Sequence, residues 1–239
     1  TPPVVLTDPG TWVAGPDFPL LNGNQLGIAD GPVCLLPSGN VLCHTSPGIF
    51  NSPSRFFEFD GTNLIAVPRP PRSNQISSWQ GNMLLLPNGQ VLFTDQSSDV
   101  ELYTPVGTFD DAWRPTIASF PAVLVPGTEY VISGTQFNGL SEACMYGDDS
   151  TNSTNYPLVR LTSTHTGHVY YARTFGHSTM GVATGATPTS TNFVLPTPFE
   201  PGAFQLEVVA NSIPSFPVPV VVRKFRPGET PGTAGDRAQ

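Results

Sequence analysis

The segment GPVCLLPSGNVL, beginning at Gly31, returns fifty positions later as GNMLLLPNGQVL, beginning at Gly81. A chain that repeats at such a period is built from stacked copies of one supersecondary unit. The copies match at Gly31/Gly81, Leu35/Leu85, Leu36/Leu86, Pro37/Pro87, Gly39/Gly89, Val41/Val91 and Leu42/Leu92. Each reads as a β-hairpin, two apolar runs around a Pro-x-Gly turn. Pro favours the second position of a type I turn and Gly the fourth, so Leu36-Pro37-Ser38-Gly39 is the predicted turn, with Gly39 left-handed as a bulge. That register sets Leu36 against Asn40 and Cys34 against Leu42. A Cys34–Cys43 disulfide is open to the chain only if Pro37 and Asn40 pair directly, and is therefore not favoured. The three cysteines, Cys34, Cys43 and Cys144, lack C-x-x-C spacing and read as small buried apolar residues.

A third strand follows each hairpin, at RFFEFD (residues 55–60) and at DVELYTP (99–105), and a fourth is expected at NLIAVPRPP. The opening GTWVAGPDFP reads as the last strand of an earlier unit. Short strands in groups of about four are the pattern of a propeller blade. Residues 1–114 are thus about two blades and part of a third. Propellers close with about four blades or more, so these blades are expected either to continue upstream or to complete a ring with other chains. From residue 115 to 223 seven or so short strands predict an Ig-like β-sandwich, without the Cys…Trp…Cys spacing of true Ig domains. Residues 224–239 read as a flexible tail. The expected fold is all-β, a partial β-propeller followed by a sandwich.

Composition narrows function. The 27 Pro and 23 Gly call for many turns, while a 38% apolar share is enough for a core. The net charge is −8 and Lys224 is the only lysine, so there is no basic stripe for phosphates and no nucleic-acid partner is expected. Membrane insertion is not expected, because no apolar run is long enough to span a bilayer. The first residues show no signal-peptide pattern, and a secreted chain would have had its signal removed.

The order of parts resembles a known family. LLPxGxV hairpins precede a domain containing YGDDSTNSTNYPLVRLT, GHVYYARTFGHSTMGVATG and LEVVANSIPS. This is similar to the C-terminal part of kelch-type β-propeller proteins with a galactose-oxidase-like (E-set) C-terminal domain, over residues 11 to 222. The closest similarity is to uncharacterised members that lack copper ligands. The characterised members are copper-radical oxidases with two His and two Tyr ligands, one Tyr being cross-linked to a Cys. The resemblance places one Tyr-His pair at Trp79 and Gln80, and the second His near Thr151. Indole nitrogen only donates hydrogen bonds, and a neutral amide is a poor substitute for imidazole. The expectation is therefore no cofactor, with Trp79 and Gln80 left as a candidate ligand surface at a vacated copper position.

Other constellations are weaker. His165 and His168 flank a turn without an acidic neighbour in sequence and read as solvated. His177 is expected to hydrogen-bond locally, and His44 to end a blade strand. Asp148, Asp149 and Asn152, with Ser150 and Asn155, make an oxygen-rich loop suited to a weak calcium site. Asn152-Ser153-Thr154 is a glycosylation acceptor triplet. No G-x-S-x-G motif occurs, and Asp110-Asp111 are adjacent and so unsuited to act on one bond from two sides. The residues point to a non-catalytic, secreted or cell-envelope binding or structural module. Its expected partners are another protein, other copies of itself, an upstream propeller portion, or a glycan. An enzyme with its active site on upstream blades is the alternative.

Overall fold

A computed structural model of the chain describes residues 9–146 and 150–224. The two repeated turns fold as their residues dictate. Gly39 and Gly89 take φ of +91° and +90°, a region open to glycine at little cost. Leu36 N–H donates to Asn40 O and Leu86 N–H to Gln90 O, both at 2.8 Å. These turns join β3 (Val33–Leu35) to β4 (Val41–Thr45), and β7 (Asn82–Leu85) to β8 (Val91–Thr94). A short hairpin, β1 (Leu20–Leu21) and β2 (Asn24–Gln25), precedes them. The first repeated hairpin's sheet continues through β5 (Arg55–Phe59) and β6 (Leu64–Ala66), and the second's through β9 (Val100–Tyr103). Cys34 lies opposite Leu42, the register that the turn chemistry predicts.

The two N-terminal sheets pack around a core of Leu36, Leu42, Phe56, Ile76, Met83, Val91 and Phe93. A polar tie joins them at one side. The buried Glu58 of β5 accepts hydrogen bonds from Tyr103 Oη of β9 and from Asn40 Nδ2, the latter at 2.7 Å. Two donors on one buried carboxylate offset much of its desolvation.

After residue 115 come β10 (Thr116–Ser119), β11 (Val123–Leu124), β12 (Glu129–Thr135), β13 (Ala143–Tyr146), β14 (Ser150–Ser153), β15 (Leu158–Ser163), β16 (Val169–Phe175), β17 (Pro188–Val194), β18 (Gly202–Ala210), β19 (Ile213–Pro214) and β20 (Val218–Val222). All of these except β13 and β14 form one nine-stranded sheet that curls on itself. The curl is made at β16, which pairs with β15 through Val169–Ala172 and with β17 through Arg173–Phe175. A strand that changes partner in this way turns a corner and lets one sheet supply two facing layers. Alternate residues point inward, and Phe137, Phe193, Phe204, Ile132, Leu161 and Leu206 fill the space between.

Three readings change. β13 and β14 belong to the sheet of the first repeated hairpin, not to the curled sheet: Met145 pairs with Val33, giving the order β14-β13-β3-β4-β5-β6. The hairpin covers the edge of β3, whose backbone groups need partners. Residues 10–19 are not a strand, and Trp12 is fully exposed. Residues 178–184 also form no strand. Ala183 takes a positive φ of 52°, and the backbone instead bonds neighbouring loops, Ser178 N–H to Ser190 O and Ala183 N–H to Gly139 O.

Candidate functional site

At the end of the N-terminal sheets opposite the two hairpin turns, the loop after β4 meets the 3-10 turn Ser78–Gln80. Serine hydroxyls lock the junction. Ser46 Oγ donates to Gly48 O at 2.7 Å and lies 3.1 Å from Ser77 Oγ and 2.7 Å from Ser78 Oγ. Ser77 Oγ also donates to Ile49 O, and Ser78 Oγ lies 2.8 Å from Ile28 O. All three serines are buried. Gln80 Oε1 accepts the Ser77 N–H at 3.0 Å, completing a capping box that satisfies donors at the start of the turn.

This rigid base holds Trp79 half-buried at the surface. Phe50 packs edge-on against it, with ring centroids 6.0 Å apart, although Phe50 itself is 80% exposed. Ile49, beside it, is also exposed. Three large apolar side chains thus share one rim.

Beneath the rim lies His44, which sequence reasoning left without a role. It is fully buried, and neither ring nitrogen has a hydrogen-bond partner. Phe56 stacks on the ring and Phe93 meets it edge-on at 5.1 Å. Burial pushes its pKa down to about 3, against smaller opposing effects from the Ser78 backbone and the Asp95 charge. His44 is therefore a neutral core ring. Asp95, also buried, is held by Arg72 at 3.1 Å and accepts the Ser97 N–H at 3.2 Å.

The chain brings together the segments where the resemblance places copper ligands. Asn152, next to Thr151, donates from Nδ2 to Asn82 Oδ1 at 2.6 Å and to Met83 O, and Asn82 is two residues after Gln80. The donor set at this junction does not suit copper. Trp79 offers no lone pair, Gln80 Oε1 is committed to the capping box, and the nearby His44 ring is wedged among Phe56, Phe93 and Gly81. Among the described residues, no group of three His, Cys, Asp or Glu is placed to hold a metal ion.

The other candidates are dispersed. Asp148 and Asp149 lie outside the described residues; of the other calcium candidates, Asn152 donates its amide to Asn82 and Met83, and the buried Asn155 donates from Nδ2 to Met180 O at 2.7 Å. The amide nitrogen of Asn152 that would carry a glycan is engaged by Asn82 and Met83 in the folded chain. Cys34 and Cys43 are both buried free thiols on neighbouring strands, and the sulfur beside Cys34 is that of Cys144. Asp110 caps a short turn through the Ala112 N–H at 2.9 Å, while Asp111 pairs with Arg114 at 2.7 Å. His177 Nδ1 lies 2.9 Å from Thr191 Oγ1.

His168 finds a partner that its sequence neighbourhood does not show. Glu200 receives His168 Nδ1 at 3.0 Å, Tyr170 Oη and Thr166 Oγ1 at 2.9 Å, and Ser163 Oγ at 3.0 Å. These contacts, that of His168 foremost, hold its carboxyl down to about 2. A cleft of about 330 Å³ opens at the hairpin-turn end, lined by Pro37, Pro87, Asn88, Phe109 and Arg160. Its one charge is already neutralised, since Arg160 pairs with Glu207 at 2.8 Å.

No family model matches the chain, and no curated protein matches it. Among solved structures, it is similar to the Lin-41 filamin domain at 15% identity and a TM-score of 0.26, over 47% of this chain and 94% of that one.

Proposed function

We propose that this protein is a non-catalytic binding and structural module of the cell exterior or envelope, a kelch-type partial propeller with an Ig-like, galactose-oxidase-like neighbour. Its rim around Trp79 is the contact surface for another protein. One observation carries the reading: Phe50 stays exposed against Trp79 on a loop locked by the hydroxyls of Ser46, Ser77 and Ser78. Aromatic anchors held in one conformation lose little entropy on binding, and they dominate protein interfaces. The low charge and single lysine favour a partner met through apolar and neutral polar contacts.

The double variant Phe50→Ser, Trp79→Ala removes the rim without touching a strand. The module reading expects unchanged circular dichroism and loss of partner binding. Incubation with copper and a panel of alcohols and aldehydes expects no peroxide; copper-dependent turnover would favour the oxidase alternative.

A second reading has its own support. On the face of β7–β9 turned away from the blade core, Leu84, Leu92 and Leu102 align across the three strands, and Leu102 and Val100 are exposed. Such a row suits a neighbouring blade, either upstream or from another copy. A solution mass that is a multiple of the 25.5 kDa chain would support assembly from copies.

A further inference from the structure

We propose that Cys34 and Cys144 are an oxidisable pair that closes to a disulfide, covalently fastening the C-terminal hairpin β13–β14 to the sheet of the first repeated hairpin. The pairing of Met145 with Val33 in antiparallel strands sets Cys144 directly opposite Cys34 one step along. Residues facing each other in such a pair have Cα atoms about 4.5 or 5.5 Å apart, and both spacings fall in the range of about 4.4–6.8 Å that a disulfide spans. The two Sγ atoms are 3.2 Å apart, and the cysteines are 1% and 3% exposed.

Cys43 is excluded by register. It faces Val33 and Phe57 across its strand, while Cys34 faces Leu42. The three thiols therefore sort into a pair and a single. The contact with Cys34 also lowers the pKa of the Cys144 thiol, which makes Cys144 the better thiolate of the pair.

A small-molecule disulfide, RS–SR, supplies the oxidising equivalents. The Cys144 thiolate attacks one sulfur and releases RS⁻, giving a mixed disulfide. Cys34, losing its proton, then attacks the Cys144 sulfur and releases the second RS⁻. One S–S bond is broken and one formed, two protons pass from the cysteines to the two released thiols, and two electrons pass to the reagent. Because both sulfurs are buried, exchange takes place before β13 docks or during local opening. The bridge would join residues 110 positions apart, a long loop of the kind whose closure most restricts the unfolded chain. The inference does not rest on the contact role of Phe50 and Trp79.

The test refolds the full chain in a glutathione redox buffer, quenches it with acid, and titrates thiols in denaturant. The expected count is one reactive thiol, rising to the three of the sequence after reduction. Cys43→Ser is expected to give none before reduction, with an intact mass lower by two hydrogens than its reduced form. Cys144→Ser is expected to keep both remaining thiols free. Three reactive thiols in the oxidised wild type, or a bridge that persists in Cys144→Ser, would overturn the proposal. If Cys144→Ser does not fold, the wild-type and Cys43→Ser counts decide by themselves.

Discussion

His44 lies flat on Phe56, with ring centroids 4.3 Å apart and planes within 17° of parallel. The imidazole is treated by the fold as an aromatic core side chain, and its protonation is incompatible with that place. The unfolded chain takes up this proton below the ordinary value of 6.5, whereas the folded chain resists it down to about 3. Stability from this residue is therefore complete above pH 6.5 and lost as pH falls toward 3. The slope is at most about 1.4 kcal/mol per pH unit. His44→Phe keeps a flat ring and removes the proton site. Urea unfolding between pH 7 and 4 is expected to show a shallower loss of stability in the variant than in the wild type.

The repeated glycines Gly31 and Gly81 have a packing reason. A Cβ on Gly81 would lie 2.4 Å from His44 Nδ1 and 2.7 Å from Phe93, and one on Gly31 would lie 2.2 Å from the His44 carbonyl. Side chains can move a little, whereas a strand carbonyl cannot without breaking its ladder. Gly81→Ala is expected to destabilise by about 1–3 kcal/mol, and Gly31→Ala by more. The comparison is read from denaturation midpoints.

Asn211 ties the sandwich to the base of the β13–β14 hairpin. Its Oδ1 accepts from Leu140 N at 2.6 Å and Ser141 N at 2.9 Å, while Nδ2 donates to Ser141 O and Thr154 O, both at 3.1 Å. Removal strands several partly buried groups, each worth about 1–3 kcal/mol when left unsatisfied. Asn211→Ala is expected to lower stability by about 3 kcal/mol and to raise amide exchange in β13 and β14 ahead of the curled sheet.

Glu200 gives an acid-side signature. Its carboxyl is held at about 2, below the ordinary 4.5, so its stabilising effect is present above pH 4.5 and fades as pH falls toward 2. Its carboxyl carbon, followed by NMR, is expected to titrate near the lower value. Glu200→Gln is expected to mobilise the β15–β16 turn while leaving the two N-terminal sheets unchanged.

The two repeated hairpins were legible because their signals are local. Leu36-Pro37-Ser38-Gly39 carries its own turn type, the turn fixes the register, and the same four-residue pattern recurs at Leu86-Pro87-Asn88-Gly89. The docking of β13 on β3 was not legible: EACMYG is short and can complete either sheet, and its choice depends on an exposed edge about a hundred residues away. For the same reason Cys34 was weighed only against nearby Cys43. The polar centres were hidden too. Glu58 in RFFEFD and His44 after NVLC sit in apolar strand runs, yet nothing adjacent reveals Tyr103 or Phe56 as their partners. Nothing near Trp79 in the sequence points to its companion Phe50, which comes from a loop whose path depends on the buried serine hydroxyls.

The most direct measurement of the contact role places photoreactive benzoylphenylalanine at position 50 in the full chain and irradiates cultures of cells that make the protein. A discrete protein adduct, lost when Trp79→Ala is added, is the predicted result. Failure to form a protein adduct, or an adduct that forms equally well without Trp79, would contradict it; transfer to a carbohydrate instead would identify the rim as a glycan surface and reject the protein-contact assignment.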